Sequence, residues 1–272
     1  MKSFFSVATA IIAIISFATS ALGSSSGSSS VAGSGVGDTP DVVIDTVNTT
    51  DVPIGEKAYV TGLRWEEDGP NRCFGALISP THVLTTSSCI TRHVRWASIG
   101  SHYYNGTQDG ERIRIVAHLM QPRNAKLSGN FMVLELEKPS SIKPVILASD
   151  DSAFKVGDWI DVLGWKFIRG SATRVHELQS ARVRIMRNEE CATMLQGIDE
   201  TMVCTGGLAN EDPCHGANGG PVIVPSSSGQ DVLVGIVSWG INCFQPNIPS
   251  VTERISSGRA WIDRVIAGTC VA

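Results

Sequence analysis

Cys73-Phe74-Gly75-Ala76-Leu77-Ile78-Ser79-Pro80-Thr81-His82-Val83-Leu84-Thr85-Thr86-Ser87-Ser88-Cys89 reads as strand, turn, strand. Residues 74–79 and 83–86 are short apolar runs without helical periodicity, and Ser79-Pro80-Thr81 between them is turn chemistry. The pattern continues outward. Runs at 58–63, 113–117, 131–136, 159–163, 181–185, 221–224 and 232–238 are separated by turn formers such as Asn105-Gly106 and residues 226–230. Many short strands at this spacing predict all-β barrels or sandwiches of antiparallel sheet. Strands do not alternate with helices, which argues against a parallel α/β fold.

One helix is expected, over 257–265. Ser256 or Ser257 is its candidate cap. Trp261, Ile262, Val265 and Ile266 share a face, and Gly268 is placed to end it. A polar bridge over 137–158 divides the strands into two comparable sets.

The first 41 residues stand apart. Lys2 gives a positive start, 4–18 is almost wholly apolar, and Ala18, Ser20, Ala21 and Gly23 are small. Residues 1–22 read as a secretory signal peptide cut within 20–23. The alternative is a membrane anchor, but the apolar run is shorter than the ~20 residues a spanning helix needs. Residues 23–41, rich in Ser and Gly, cannot bury enough apolar surface to offset their ordering entropy and read as a flexible leader. Removal of the signal leaves no membrane segment.

Net charge is −4, one unit more negative once Lys2 leaves, and no basic run stands out. Nucleic acid and polyanions are therefore poor partners. The chain has seven cysteines, at 73, 89, 191, 204, 214, 243 and 270. Export makes disulfides expected, but spacing alone does not connect them, and one is left over. Sequons begin at Asn48 and Asn105. No H-x-x-x-H or paired C-x-x-C suggests a metal centre, and no cofactor is implied.

Several motifs resemble those of the chymotrypsin/trypsin fold. The opening stretch looks like the family's C-G-G-S-L-I-S-P-x-x-V-L-T-A-A-H-C. Asp212-Pro213-Cys214-His215-Gly216-Ala217-Asn218-Gly219-Gly220-Pro221 has the frame D-x-C-x-G-D-S-G-G-P. Gly164-Trp165 looks like its G-W-G turn, and Val237-Ser238-Trp239-Gly240 like the strand that pairs with a bound peptide. Residues 250–255 look like the closing G-V-Y-T-R-V. The resemblance implies a domain over 42–268 with two six-stranded antiparallel barrels. The first takes about 42–145, the second about 146–256, and the helix about 257–267. It also implies disulfides Cys73–Cys89, Cys191–Cys204 and Cys214–Cys243, leaving Cys270 over.

The same resemblance makes the chemistry specific. In the family's triad a Ser hydroxyl attacks, a His takes its proton, and an Asp orients and stabilises the imidazole. Carried over position by position, these become Asn218, Ser88 and Asn130. An amide nitrogen is a poor nucleophile and a Ser hydroxyl near neutral pH is no base. Loss of one member typically costs ~10⁴ to 10⁶ in rate. His82, His93, His102, His118, His176 and His215 remain, but no second nucleophile stands where a rebuilt site would need one. The Asp that normally pairs with a cleaved N-terminus is Ala217, so no activation step is expected. Val43-Ile44-Asp45-Thr46 lacks the glycines of the inserting motif.

Asp212 stands where trypsin binds Arg or Lys, with Trp239 and Gly240 in the same vestigial pocket. Asn242 and Ser250 replace glycines there and would narrow it. Among inactive members of the family, the chain is most similar to the glucanase inhibitor proteins of oomycete plant pathogens. Residues 52–64 carry that similarity. It implies secretion into the host apoplast and inhibition of a plant endo-β-1,3-glucanase. The alternative is a secreted pseudoprotease that binds another protein, as a protease regulator or an inhibitor decoy. A residual serine hydrolase is a third reading.

Overall fold

A computed structural model describes residues 49–122, 129–165, 176–206, 218–226, 230–240 and 248–269. The signal and leader, Asn48, Asp212, Cys214, Ala217, Asn242, Cys243 and Cys270 lie outside them.

Strands β2 (Val60–Arg64), β3 (Asn71–Ser79), β4 (His82–Thr86), β5 (Trp96–Ile99), β6 (Glu111–Met120) and β7 (Phe131–Leu136) close into one antiparallel barrel. The circuit runs β2-β3-β4-β7-β6-β5. A second circuit uses β9 (Trp159–Gly164), β10 (Gln179–Met186), β11 (Met202–Gly206), β12 (Pro221–Val224), β13 (Val232–Gly240) and β14 (Pro249–Arg254). It closes because β9 pairs with both β10 and β12. The expected pair of six-stranded barrels is therefore present. Strand β1 (Thr49–Asp51) precedes the first barrel along the chain, yet it adds to β10 of the second. The bridge contributes β8 (Ile146–Leu147), which lies parallel to β13.

Burial explains why the runs settle as strands. In β10, Ala181, Val183 and Ile185 are buried while Arg182 and Arg184 are exposed, the two-residue period of a sheet with one wet face. In β2 every residue is buried: Val60 and Leu63 join the hydrophobic core, and Arg64 is held by hydrogen bonds to Asn71 and Gly106. Each fully buried Leu or Phe in such a barrel contributes roughly 1.5–3 kcal/mol.

The C-terminal helix runs Ile255–Ile266 and starts two residues earlier than expected. The expected cap at Ser256 or Ser257 is not formed. Strand β14 feeds straight into the helix, and Arg254, with extended backbone and no side-chain cap, occupies that position. Ser256 Oγ instead donates to Asp151 Oδ1 at 2.6 Å, and Ser257 Oγ to the Arg254 carbonyl at 2.7 Å. The apolar face holds as read: Trp261, Ile262 and Val265 are buried and Ile266 packs against the core. Gly268, at φ +67°, ends the helix.

The two barrels are tied at several points. Trp165 is fully buried, its ring 5.2 Å from that of Phe74 in β3, and its indole N–H donates to the His102 carbonyl at 3.0 Å. Lys57 and Tyr59, ahead of β2, both donate to Asp231, ahead of β13, at 2.7 and 2.6 Å. Burial, with Asp231 alongside, pushes the Tyr59 hydroxyl far above its ordinary value, so it stays a donor. Asp231→Asn keeps an acceptor for Tyr59 but leaves the Lys57 charge unpaired. Lys57 is a quarter exposed, so the expected cost is only about 1–2 kcal/mol. Chemical denaturation measures it, and an unchanged midpoint would show that the tie adds nothing.

Candidate functional site

The Asn218-Gly219-Gly220 turn sits where the two barrels meet. The Asn218 carbonyl accepts from the Phe74 N–H at 3.1 Å, the Gly219 N–H donates to the Val237 carbonyl at 2.8 Å, and the Val237 N–H donates to the Gly220 carbonyl at 2.9 Å. Held on both sides, the turn aims the Asn218 side chain at Ser88. Its Nδ2 donates to Ser88 Oγ at 3.2 Å, and that hydroxyl lies 2.9 Å from Thr86 Oγ1. Ser88 is fixed in turn by the 3₁₀ segment Ser87–Arg92 and by the disulfide Cys73–Cys89.

Asn130 precedes β7 and faces the same junction. Ser87 Oγ donates to its Oδ1, and the Ser87 N–H donates to its carbonyl at 2.8 Å. Asn130 Nδ2 donates to Ser238 Oγ at 2.7 Å, and Ser238 Oγ donates to Glu253 Oε1 at 2.9 Å. The donors thus run one way, from Ser87 through Asn130 and Ser238 to a carboxylate that is 1% exposed. A β-bulge makes this possible. The register of β13 against β14 slips between Val237 and Trp239. Ser238 is the extra residue, and its side chain points inward, buried.

The structure therefore brings Ser88 and Asn218 into direct contact and places Asn130 one residue away, through Ser87. Among these three groups there is no imidazole and no carboxylate. The amide of Asn218 spends a proton on Ser88, which leaves Ser88 as an acceptor beside it. Asn130 carries no charge with which to support an imidazolium.

Two disulfides expected from the resemblance, Cys73–Cys89 and Cys191–Cys204, are formed. Cys214–Cys243 falls outside the described residues. Of the vestigial pocket, Trp239 is half-buried against a small second core, and Gly240 is exposed. Gly240 pairs with Ser250, whose Oγ lies 3.5 Å from where a Cβ on Gly240 would stand. Asp212 and Asn242 are not among the described residues. No cluster of metal-binding side chains occurs among them. Asn105 is exposed, as a glycan acceptor must be, and Asn48 is not described.

Sequence reasoning missed Ser87, Ser238 and Glu253 as parts of this junction. Ser238 was visible only as one letter of a strand motif, and nothing in spacing announces a bulge. Glu253 had one available signal, a carboxylate directly after the apolar and hydroxylated residues 249–252.

The Trypsin family model matches residues 46–262. Glucanase inhibitor protein 3 of Phytophthora infestans is 44% identical over 225 residues, 80% of this chain and 86% of that protein. Glucanase inhibitor protein 1 of the same organism is 41% identical, with 79% and 86% covered. Glucanase inhibitor protein 2 of Phytophthora sojae is 39% identical, with 79% and 77% covered. Among solved structures, neuropsin, a serine protease expressed in the limbic system of mouse brain, superposes with a TM-score of 0.70 at 26% identity. That match covers 80% of this chain and 99% of neuropsin.

Proposed function

The chain belongs to the trypsin family, and we propose that it is a secreted, non-proteolytic member that binds and inhibits a plant endo-β-1,3-glucanase. The observation that carries the loss of proteolysis is the Asn218–Ser88 hydrogen bond, in which an amide donates to a hydroxyl where the family's reaction needs a nucleophile donating to a base. With the triad replaced at all three positions, at most the acceleration of a surviving oxyanion hole is left, on the order of 10³–10⁴ over water. The proposal that Ala217 also removes the activation partner agrees with this.

Two things support the target. The similarity to proteins named glucanase inhibitors runs through most of this chain and most of theirs. A pair of barrels carrying variable loops also remains a recognition surface once chemistry is gone. Secretion is proposed from the apolar N-terminal stretch and fits the disulfides. Residues 42–268 are proposed as the mature folded domain, with the host apoplast as its site of action and Asn48 and Asn105 as glycan acceptors.

The test is laminarin hydrolysis by purified plant endo-β-1,3-glucanases with and without the protein, alongside fluorogenic peptides and a fluorophosphonate. Dose-dependent loss of glucanase activity, no peptide turnover and no labelling are expected. Peptide turnover would overturn the absence of catalysis. A panel of glucanases that is neither inhibited nor co-precipitated would remove the target.

A further inference from the structure

Trp65 follows β2 at the edge of the first barrel, half-buried. The guanidinium of Arg95 lies 4.5 Å from its ring centroid and that of Arg72 5.9 Å away, while the His93 ring meets it edge-on at 5.4 Å. Arg92 ends the 3₁₀ segment that begins beside Ser88. Arg72, Arg92 and Arg95 are exposed, and none forms an ion pair among the described residues. We propose that Trp65, Arg72 and Arg95 form a docking surface for a carboxylate-rich segment of a partner protein, on the first barrel. The proposal rests on the binding function above and gives the partner a chemical character.

The arrangement suits that ligand for three reasons. A guanidinium stacked on an indole is already ordered, so pairing with a carboxylate immobilises little more. Its planar fork matches a carboxylate through two N–H donors, where an ammonium offers a point charge. Tryptophan and arginine are also the side chains most often found at the centre of tight protein interfaces.

The support beneath is built in. Arg64 is fully buried and spends its donors on the Asn71 Oδ1 at 2.7 Å and the carbonyls of Gly106 and Glu67 at 2.6 and 3.2 Å. It therefore braces the 65–71 turn. Glu66, Glu67 and Asp68 lie on that turn, and its backbone is tied toward Gly106 rather than toward Arg95.

Position links this surface to the barrel junction. Arg72 precedes Cys73 and Ser88 precedes Cys89, and the bridged Cα atoms are 5.9 Å apart. Arg72 and Ser88 are thus within about 14 Å of each other along the backbone. A partner burying a standard ~800 Å² on this side covers a disc of about 16 Å radius and reaches both.

The test titrates the full mature protein into a labelled Asp/Glu-rich dodecapeptide, followed by fluorescence anisotropy at low and high salt. Wild type is expected to bind, more weakly at high salt. R72E/R95E should lose at least about tenfold in affinity, while K143E/K155E, with the same change of net charge at exposed positions, should stay within about twofold. R72Q/R95Q, which removes charge without reversing it, should fall between, and a melting curve for each variant confirms folding. No peptide binding at low salt, an equal loss in K143E/K155E, or tighter binding of a heparin hexasaccharide than of the peptide would each overturn the proposal. Capture of a plant glucanase separates it from the functional reading. Equal capture by wild type and R72E/R95E removes this surface and leaves glucanase binding intact. Arginine-dependent peptide binding without glucanase capture keeps the surface and removes that target.

Discussion

Gly219→Ala is expected to prevent accumulation of folded protein, with a loss on the order of 4 kcal/mol or more, a size single substitutions rarely reach. Two costs coincide at this residue. Its backbone has φ +91°, a region that side chains rarely adopt. A Cβ there would also stand 2.0 Å from the Phe74 carbonyl oxygen and 2.2 Å from Thr85 Oγ1. Neither atom is free to retreat, because Thr85 Oγ1 donates to that same carbonyl at 2.6 Å and Phe74 is fully buried. Gly55→Ala separates the two costs. Gly55 has nearly the same backbone, φ +85°, with nothing near the would-be Cβ. It should lose only about 1 kcal/mol, or roughly 2–4 °C in a domain of this size. Secreted yield and thermal melting read both. A Gly219→Ala protein that melts within a few degrees of Gly55→Ala would show that the turn is not keyed to the first barrel.

That turn also marks what could be seen in the sequence. The frame around it survives in glycines and cysteines, so its position could be read although its chemistry has changed. Strands β3, β4, β7, β10 and β12 declared themselves because their runs are short, largely apolar and bounded by turn formers. Strands β5, Trp96–Ile99, and β11, Met202–Gly206, did not. They are short, mostly buried and without alternation, so they carry no period to detect. The helix start was misjudged for a different reason. Ser256 and Ser257 are good caps in isolation, but the sheet delivers the chain at Arg254 already aligned for the helix, and tertiary context overrode the preference. Trp65 and its arginines were invisible for a third reason: Arg72 and Arg95 lie far apart along the chain and meet only when β2, β3 and β5 close the barrel.

Asn130→Asp, which restores the family's carboxylate, is expected to destabilise the protein by about 3 kcal/mol at pH 8. Asn130 is an acceptor from Ser87 and a donor to Ser238, and Ser238 passes its only proton to Glu253. A carboxylate at 130 has no proton to give. Ser238 could then satisfy it or Glu253, never both. The two acids would stand about 5 Å apart across that hydroxyl, and at an effective dielectric near 20 the repulsion is about 3 kcal/mol. The sign of the pH dependence follows. Repulsion raises the folded-state pKa of one acid above its ordinary value near 4, so the penalty is absent where that acid is protonated and grows as pH rises through the raised value. Melting curves should show a deficit of about 6–12 °C at pH 8, smaller at pH 5, and largely removed in N130D/E253Q. A deficit that does not change with pH, or no rescue by Glu253→Gln, would mean Glu253 is not the cause. The expected result has a consequence for the junction. The buried carboxylate of the junction is now Glu253, reached through Ser238, and the amide at 130 is the group that fits it. Restoring a carboxylate at 130 therefore works against the surrounding hydrogen bonds.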